Sequence, residues 1–148
     1  MSITDSGNPA DDADYQAGTR LGLPVAGSGS CASWGQRVGA LAIDWAAGLL
    51  VISSFVGRDT FSGGGATATF APLVVFFVQA SLLTMTLGGS FGQFIVRIGV
   101  IRVDGARVGP VRAVVRTFLI CLAVPPLIFD RDRRGLHDLA VGTVVIRR

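Results

Sequence analysis

Residues 38–57 form an apolar run of 20 residues broken by one charge, Asp44. As an α-helix such a run rises about 30 Å, enough to cross the hydrocarbon core of a bilayer. A carboxylate near the centre of that core costs about 2.5–3.5 kcal/mol, so Asp44 demands a partner. Arg37 is the first candidate, because seven residues make nearly two helical turns and return to the same face. The two groups start about 10 Å apart along the axis, so the arginine stem must reach inward. Ala40, Leu41 and Gly48 share this face, and small residues beside a polar one let a second helix approach closely. The face therefore reads as a packing face, not a lipid face.

Composition supports the membrane address. Half of the 148 residues are hydrophobic and 16% are charged, which places the chain among membrane proteins with room for one domain. Its net charge of +3 is unevenly spread: residues 1–30 carry four aspartates against Arg20, and the remainder carries the arginine excess. Basic groups on a membrane domain mark its cytoplasmic side, which accounts for them without nucleic-acid binding. Cys31 and Cys121 are too few for a disulfide framework and lack metal-ligand spacing. The start of the chain has no basic, apolar pattern of a cleavable signal peptide.

Residues 1–30 are acidic and rich in Gly and Ser, and read as a flexible tail ahead of a membrane domain over 31–148. After a glycine-rich connection, Phe70–Leu87 forms an uncharged second span, with Pro72 expected in its first turn. Gln79 and Thr86 lie seven residues apart on one face. The amide of Gln79 needs a partner on another helix, whereas a membrane threonine often bonds its own preceding turn. Ile95–Val108 flanks Asp104-Gly105 with strand-forming residues and predicts a small cytoplasmic hairpin. From Thr117 to Phe129 only 13 residues are uncharged, and Pro125-Pro126 interrupts them, so this third segment reads as re-entrant or interfacial. Thr143–Ile146 reads as a strand able to pair with the 95–108 hairpin. The expected fold is thus a mainly α-helical integral membrane protein with two transmembrane helices, a non-crossing third helix and a small β-element.

Arg37 at the head of the first helix, Asp44 within it and Gly-Leu-His-Asp138-Leu-Ala-Val-Gly-Thr near the end together resemble the RDD family of bacterial membrane proteins. The glycine- and serine-rich exit after the second span, the strand ending in Asp104-Gly105, and Arg116 in the following helix fit the same pattern over residues 33–146. Ser90-Phe-Gly-Gln93 departs from the Thr-x-Gly-Lys type motif that members often carry, so no lysine cation stands at Gln93. The resemblance implies a site built on Arg37, Asp44 and Asp138, and a domain suggested to transport ions or small ligands.

An enzyme is not indicated: the lone histidine, His137, is a sequence neighbour of Asp138, and no acid–base pair shares a face. Neither a metal nor a cofactor is called for. The triad, supported by Gln79, Thr86 and Arg116, carries two readings. One is a structural cluster in which Arg37 neutralises both aspartates; in the other, Asp44 is a cation or proton site. Two spans cannot enclose a solute path, so transport requires a homo-oligomer or another membrane protein in the bilayer, with Gly39, Ala40, Ala47 and Gly48 as contact faces. Arginines after the second span and after the third segment outnumber Arg58 in the first connection, which predicts both termini in the cytoplasm. A single-cysteine label placed after Arg134, with Cys31 and Cys121 replaced, is expected to be shielded from the outside of intact cells. Efficient labelling from outside would refute this topology.

Overall fold

Ser33 opens the first long helix with a reciprocal cap. Its hydroxyl accepts from Gln36 N (3.3 Å), and Gln36 Oε1 accepts from Ser33 N (3.1 Å). Helix α1 then runs Trp34–Val56. The computed structural model describes residues 15–56, 65–122, 128, 130 and 132–148. Within these follow α2 (Ala66–Leu87), α3 (Phe91–Ile95), β1 (Ile98–Arg102), α4 (Pro110–Cys121), α5 (Leu136–Val141) and β2 (Thr143–Arg147).

Both long helices are long and apolar enough to cross a membrane: Trp34–Phe55 has a mean hydropathy of 1.8 and Phe70–Leu87 of 1.9. Only 22% and 28% of these stretches are buried within the chain, whereas the core helix of a soluble protein is mostly buried. Leu50, Phe55, Phe70 and Val74 stand exposed on them, Phe55 at 86%. An apolar surface of that extent needs lipid or another protein against it. The two helices meet where Trp45 stacks on Phe76, their centroids 5.9 Å apart. They also meet at Gly48, where an added Cβ would lie in ordinary contact, 3.7 Å from the Pro72 carbonyl oxygen. Helix α2 begins at Ala66, four residues before the expected span, so Pro72 lies inside it and not in its first turn.

Gly88, in the left-handed region at φ 75°, ends α2 by returning its N–H to Thr84 O. The chain re-enters helix at α3 through a capping box, Ser90 with Gln93. That box is the local reason for Ser90-Phe-Gly-Gln93: Gln93 accepts from the Ser90 backbone and its own backbone donates to the Ser90 hydroxyl. Gly92 is required for a different reason. A Cβ there would overlap the backbone of Ala40, so only glycine lets α3 lie on α1.

The expected hairpin is corrected. Asp104-Gly105 does make a turn, with Gly105 N bonded to Arg102 O (2.9 Å) and Arg102 N to Ala106 O (3.1 Å). No second strand follows, because β1 takes its ladder from β2, antiparallel, with Ile98 opposite Arg147 and Arg102 opposite Thr143. The β-branched run Thr143-Val-Val-Ile offers the better pleated surface, and Gly109-Pro110 already commits the chain to α4. On the other side of β2, Ala32 N bonds Val145 O (2.9 Å) and Arg147 N bonds Ser30 O (2.9 Å). The last strand is thus flanked on both sides, and Ile98, Val100 and Val145 form the core with Ala32, Ala40, Val108 and Ala113.

The N-terminal segment is also more tied than a flexible tail. Thr19–Leu21 forms a 3-10 turn, and Asp132 Oδ1 accepts from Tyr15 and from Gly18 N. The first fourteen residues of that tail lie outside the described residues. Helix α4 has 12 residues, shorter than a spanning helix. It turns Ala113, Arg116 and Thr117 inward and leaves Val111, Val114, Val115 and Phe118 exposed, the two faces of an amphipathic helix. Pro125-Pro126 lies outside the described residues.

Gly92→Val is expected to destabilise the protein by about 3 kcal/mol, the upper range for overpacking, because rigid backbone is what the new side chain meets. Gly35→Ala, where nothing stands within 4 Å of the added Cβ, is the control. Thermal unfolding in detergent measures both, and a Gly92→Val melt equal to that of the control would refute the close approach.

Candidate functional site

Two buried carboxylates organise the interior, and each gathers its own partners. Asp138 sits in the first turn of α5, wholly buried. Arg37 Nη1 reaches its Oδ2 from α1 at 2.9 Å, and Arg116 Nε reaches its Oδ1 from α4 at 2.8 Å. Thr143 Oγ1, at the start of β2, donates to Oδ1 at 3.0 Å. His137 Nε2 lies 3.4 Å from Oδ2, so the neighbour dismissed on sequence does approach the carboxylate, though as its longest contact. Burial alone would raise the Asp138 carboxyl. The charges of Arg116, His137 and Arg37 and the bond from Arg116 outweigh it and hold the group well below the usual carboxylate range.

Asp44, 2% exposed on α1, is surrounded by donors that carry no charge. Oδ1 accepts from Gln79 Nε2 on α2 (3.0 Å) and from Gly92 N on α3 (2.7 Å), and Oδ2 from Ser90 Oγ (2.5 Å). The expected Arg37–Asp44 pair is therefore corrected: Arg37 turns to Asp138, because the axial gap along α1 is long while α5 brings a carboxylate to the helix head. Arg37 does not neutralise both aspartates. Gln79 meets Asp44 as its amide required, and Arg116 joins the Asp138 cluster. Thr86 joins neither; exposed, it returns its hydroxyl to Leu82 O (2.6 Å) in the preceding turn.

Sequence reasoning missed Ser90, Gly92 and Thr143. For the first two the signal was present, since Ser-x-x-Gln after the second span is a capping box that places a hydroxyl and free backbone N–H groups at a helix start. Thr143 carried no such mark.

Between the two carboxylate clusters lies a cavity of about 140 Å³. Arg37 and Arg116 line it together with Asp44, and its walls include Trp34, Phe76 and Ile120. One space thus borders residues of both clusters, although the clusters exchange no hydrogen bond among the described residues.

Two long apolar helices, a short amphipathic one and a buried arginine–aspartate centre closed by the last strand define a small helical membrane-associated domain. The RDD family model matches residues 31–142, three-quarters of the chain, and the chain belongs to the RDD family. Comparison with curated proteins found no match, and comparison with solved structures found none.

Asp138→Asn is expected to cost about 3–5 kcal/mol, the range for breaking a buried ion pair and stranding its partners, here two guanidinium groups. A depressed carboxyl contributes stability above its unfolded value and loses it as pH falls through the folded one. The wild-type melting temperature should therefore fall as pH drops below about 4, the unfolded aspartate value. Asp138→Asn should remove that part of the slope. A parallel acid profile in the two proteins would refute the assignment.

Proposed function

We propose that this chain is a multi-pass protein of the cell membrane that passes ions or small solutes as a homo-oligomer or beside another membrane protein. Both spans cross the bilayer in this reading, α4 lies at the interface, the termini face the cytoplasm, and no catalytic step is involved. The cavity bordered by Arg37, Arg116 and Asp44 is the observation that carries it, since a space that brings charged groups to a mostly apolar wall beside membrane-length helices is where a solute would rest. The oligomer follows from having two spans. Ala40 and Gly48 are already used against α3 and α2, whereas Gly39 has open space before it and supports a contact between copies.

The surroundings of Asp44 favour a fixed anion of the frame over a cation site. A bound cation is held by oxygen atoms, and two of the three groups on Asp44 are N–H donors. The second reading, a structural or regulatory membrane subunit, draws on the same satisfaction: both carboxylates are fully engaged and could serve the fold alone.

Liposomes carrying wild type, Asp44→Asn or Asp44→Leu separate these. With protons, alkali cations and small carboxylates under imposed gradients, wild type should give flux. Asp44→Asn should retain it in proportion to folded protein, and Asp44→Leu should fold poorly. Loss of flux in fully folded Asp44→Asn would make Asp44 the carrier of the ion. Absence of flux in wild type for every solute would reject transport and leave the subunit reading.

A further inference from the structure

A second cavity, of about 470 Å³, opens at the end of α2. Its walls are the last turn of α2, the middle of β1 and the 105–108 turn, and the charged residues lining it are Arg107 and Arg148. Both arginines are exposed, so their charges are within reach of a ligand. The guanidinium of Arg107 makes no hydrogen bond or ion pair among the described residues. Arg148 donates from Nη2 to Leu87 O (2.7 Å) and Gly88 O (3.2 Å). The carbonyl oxygens that make a helix end repel anions are thereby occupied. Asp104, the acid adjoining this turn, is paired with Arg102 and does not line the cavity. A chain-terminal carboxylate on Arg148 would offset that residue alone and leave the charge of Arg107 unmet.

The approach to this hollow is apolar. Val74, Val78 and Leu82 stand exposed at four-residue intervals along α2, and Thr86, next on the same ridge, is a wall of the cavity. An exposed apolar ridge on a membrane-length helix therefore runs into a basic hollow at the helix end. An anionic phospholipid has the same order, an acyl chain leading to a phosphodiester. A soluble anion would leave the ridge uncovered, and a zwitterionic lipid would bring its own cation toward the arginines. We propose that this face of α2 binds an anionic phospholipid, its phosphodiester beside Arg107 and Arg148 and an acyl chain along Val74, Val78 and Leu82. The inference rests on the reading that α2 crosses the bilayer and is independent of any passage of solute.

Native mass spectrometry of the full chain in neutral detergent, with phosphatidylglycerol and phosphatidylcholine in equal amounts, counts the lipid retained. Wild type should retain phosphatidylglycerol in preference and saturably. Arg107→Gln should weaken that retention about fivefold, the effect of one arginine at an anionic lipid surface. Its melting temperature without lipid should not change, because the guanidinium holds no other residue. Arg133→Gln removes an exposed arginine that does not line the cavity, and should retain phosphatidylglycerol as wild type does. Glycerophosphoglycerol, the headgroup without chains, should not displace the lipid at equal concentration. Equal retention of the two lipids by wild type, or of neither, would overturn the proposal. So would undiminished retention in Arg107→Gln, or an equal loss in Arg133→Gln, which would mark a diffuse attraction. Displacement by the headgroup alone would reject a lipid as the occupant. The spanning reading is checked apart, since alkaline carbonate that strips the protein from membranes would reject it, and none of these readouts depends on flux.

Discussion

The carboxylate of Asp138 is the point through which the architecture is joined. It lies on a helix of six residues, yet its oxygens take an arginine from the first long helix, an arginine from the amphipathic helix and a hydroxyl from the last strand. Three elements distant in sequence meet at one group. A charge with no solvent exposure is tolerable only because its oxygens are so fully engaged, and that demand makes the geometry specific where apolar helix packing would allow sliding. Asp44 does the same for α1, α2 and α3 with neutral donors, at lower electrostatic strength and with a backbone N–H as one of its ties.

The two long helices were legible because twenty apolar residues have few alternatives, although α2 starts four residues ahead of Phe70. Gln79 was legible because an amide in an apolar helix must meet another helix. The arginine–aspartate pairing was not. Helical periodicity reports which residues share a face of one helix, and it favoured Arg37 with Asp44. It says nothing of a carboxylate that arrives from a segment 101 residues later. The false hairpin has a related cause. Asp104-Gly105 encodes a turn locally and does form one, but which strand lies beside β1 is decided by competition among distant segments, where Thr143–Arg147 wins.

The Ser90-Phe-Gly-Gln93 segment shows how a departure from a family motif can be read. Where members often carry lysine, this chain places a glutamine whose amide oxygen closes a capping box, and the serine of that box spends its own proton on Asp44. The residue at that position stabilises the start of a five-residue helix, and the glycine before it allows the helix to touch α1. A lysine there would bring a cation toward a carboxylate that this chain satisfies without one.

The strand Thr143–Arg147, flanked on one side by β1 and on the other by residues 30–32, has a meaning for biosynthesis. It leaves the ribosome after everything it holds together. Until it and Asp138 emerge, the two arginines share no anion, and both long helices have only their own hydropathy to direct them. Assembly is therefore ordered in two stages: the apolar helices are made first, and the segment from Asp138 to Arg147 then holds them in one fixed arrangement.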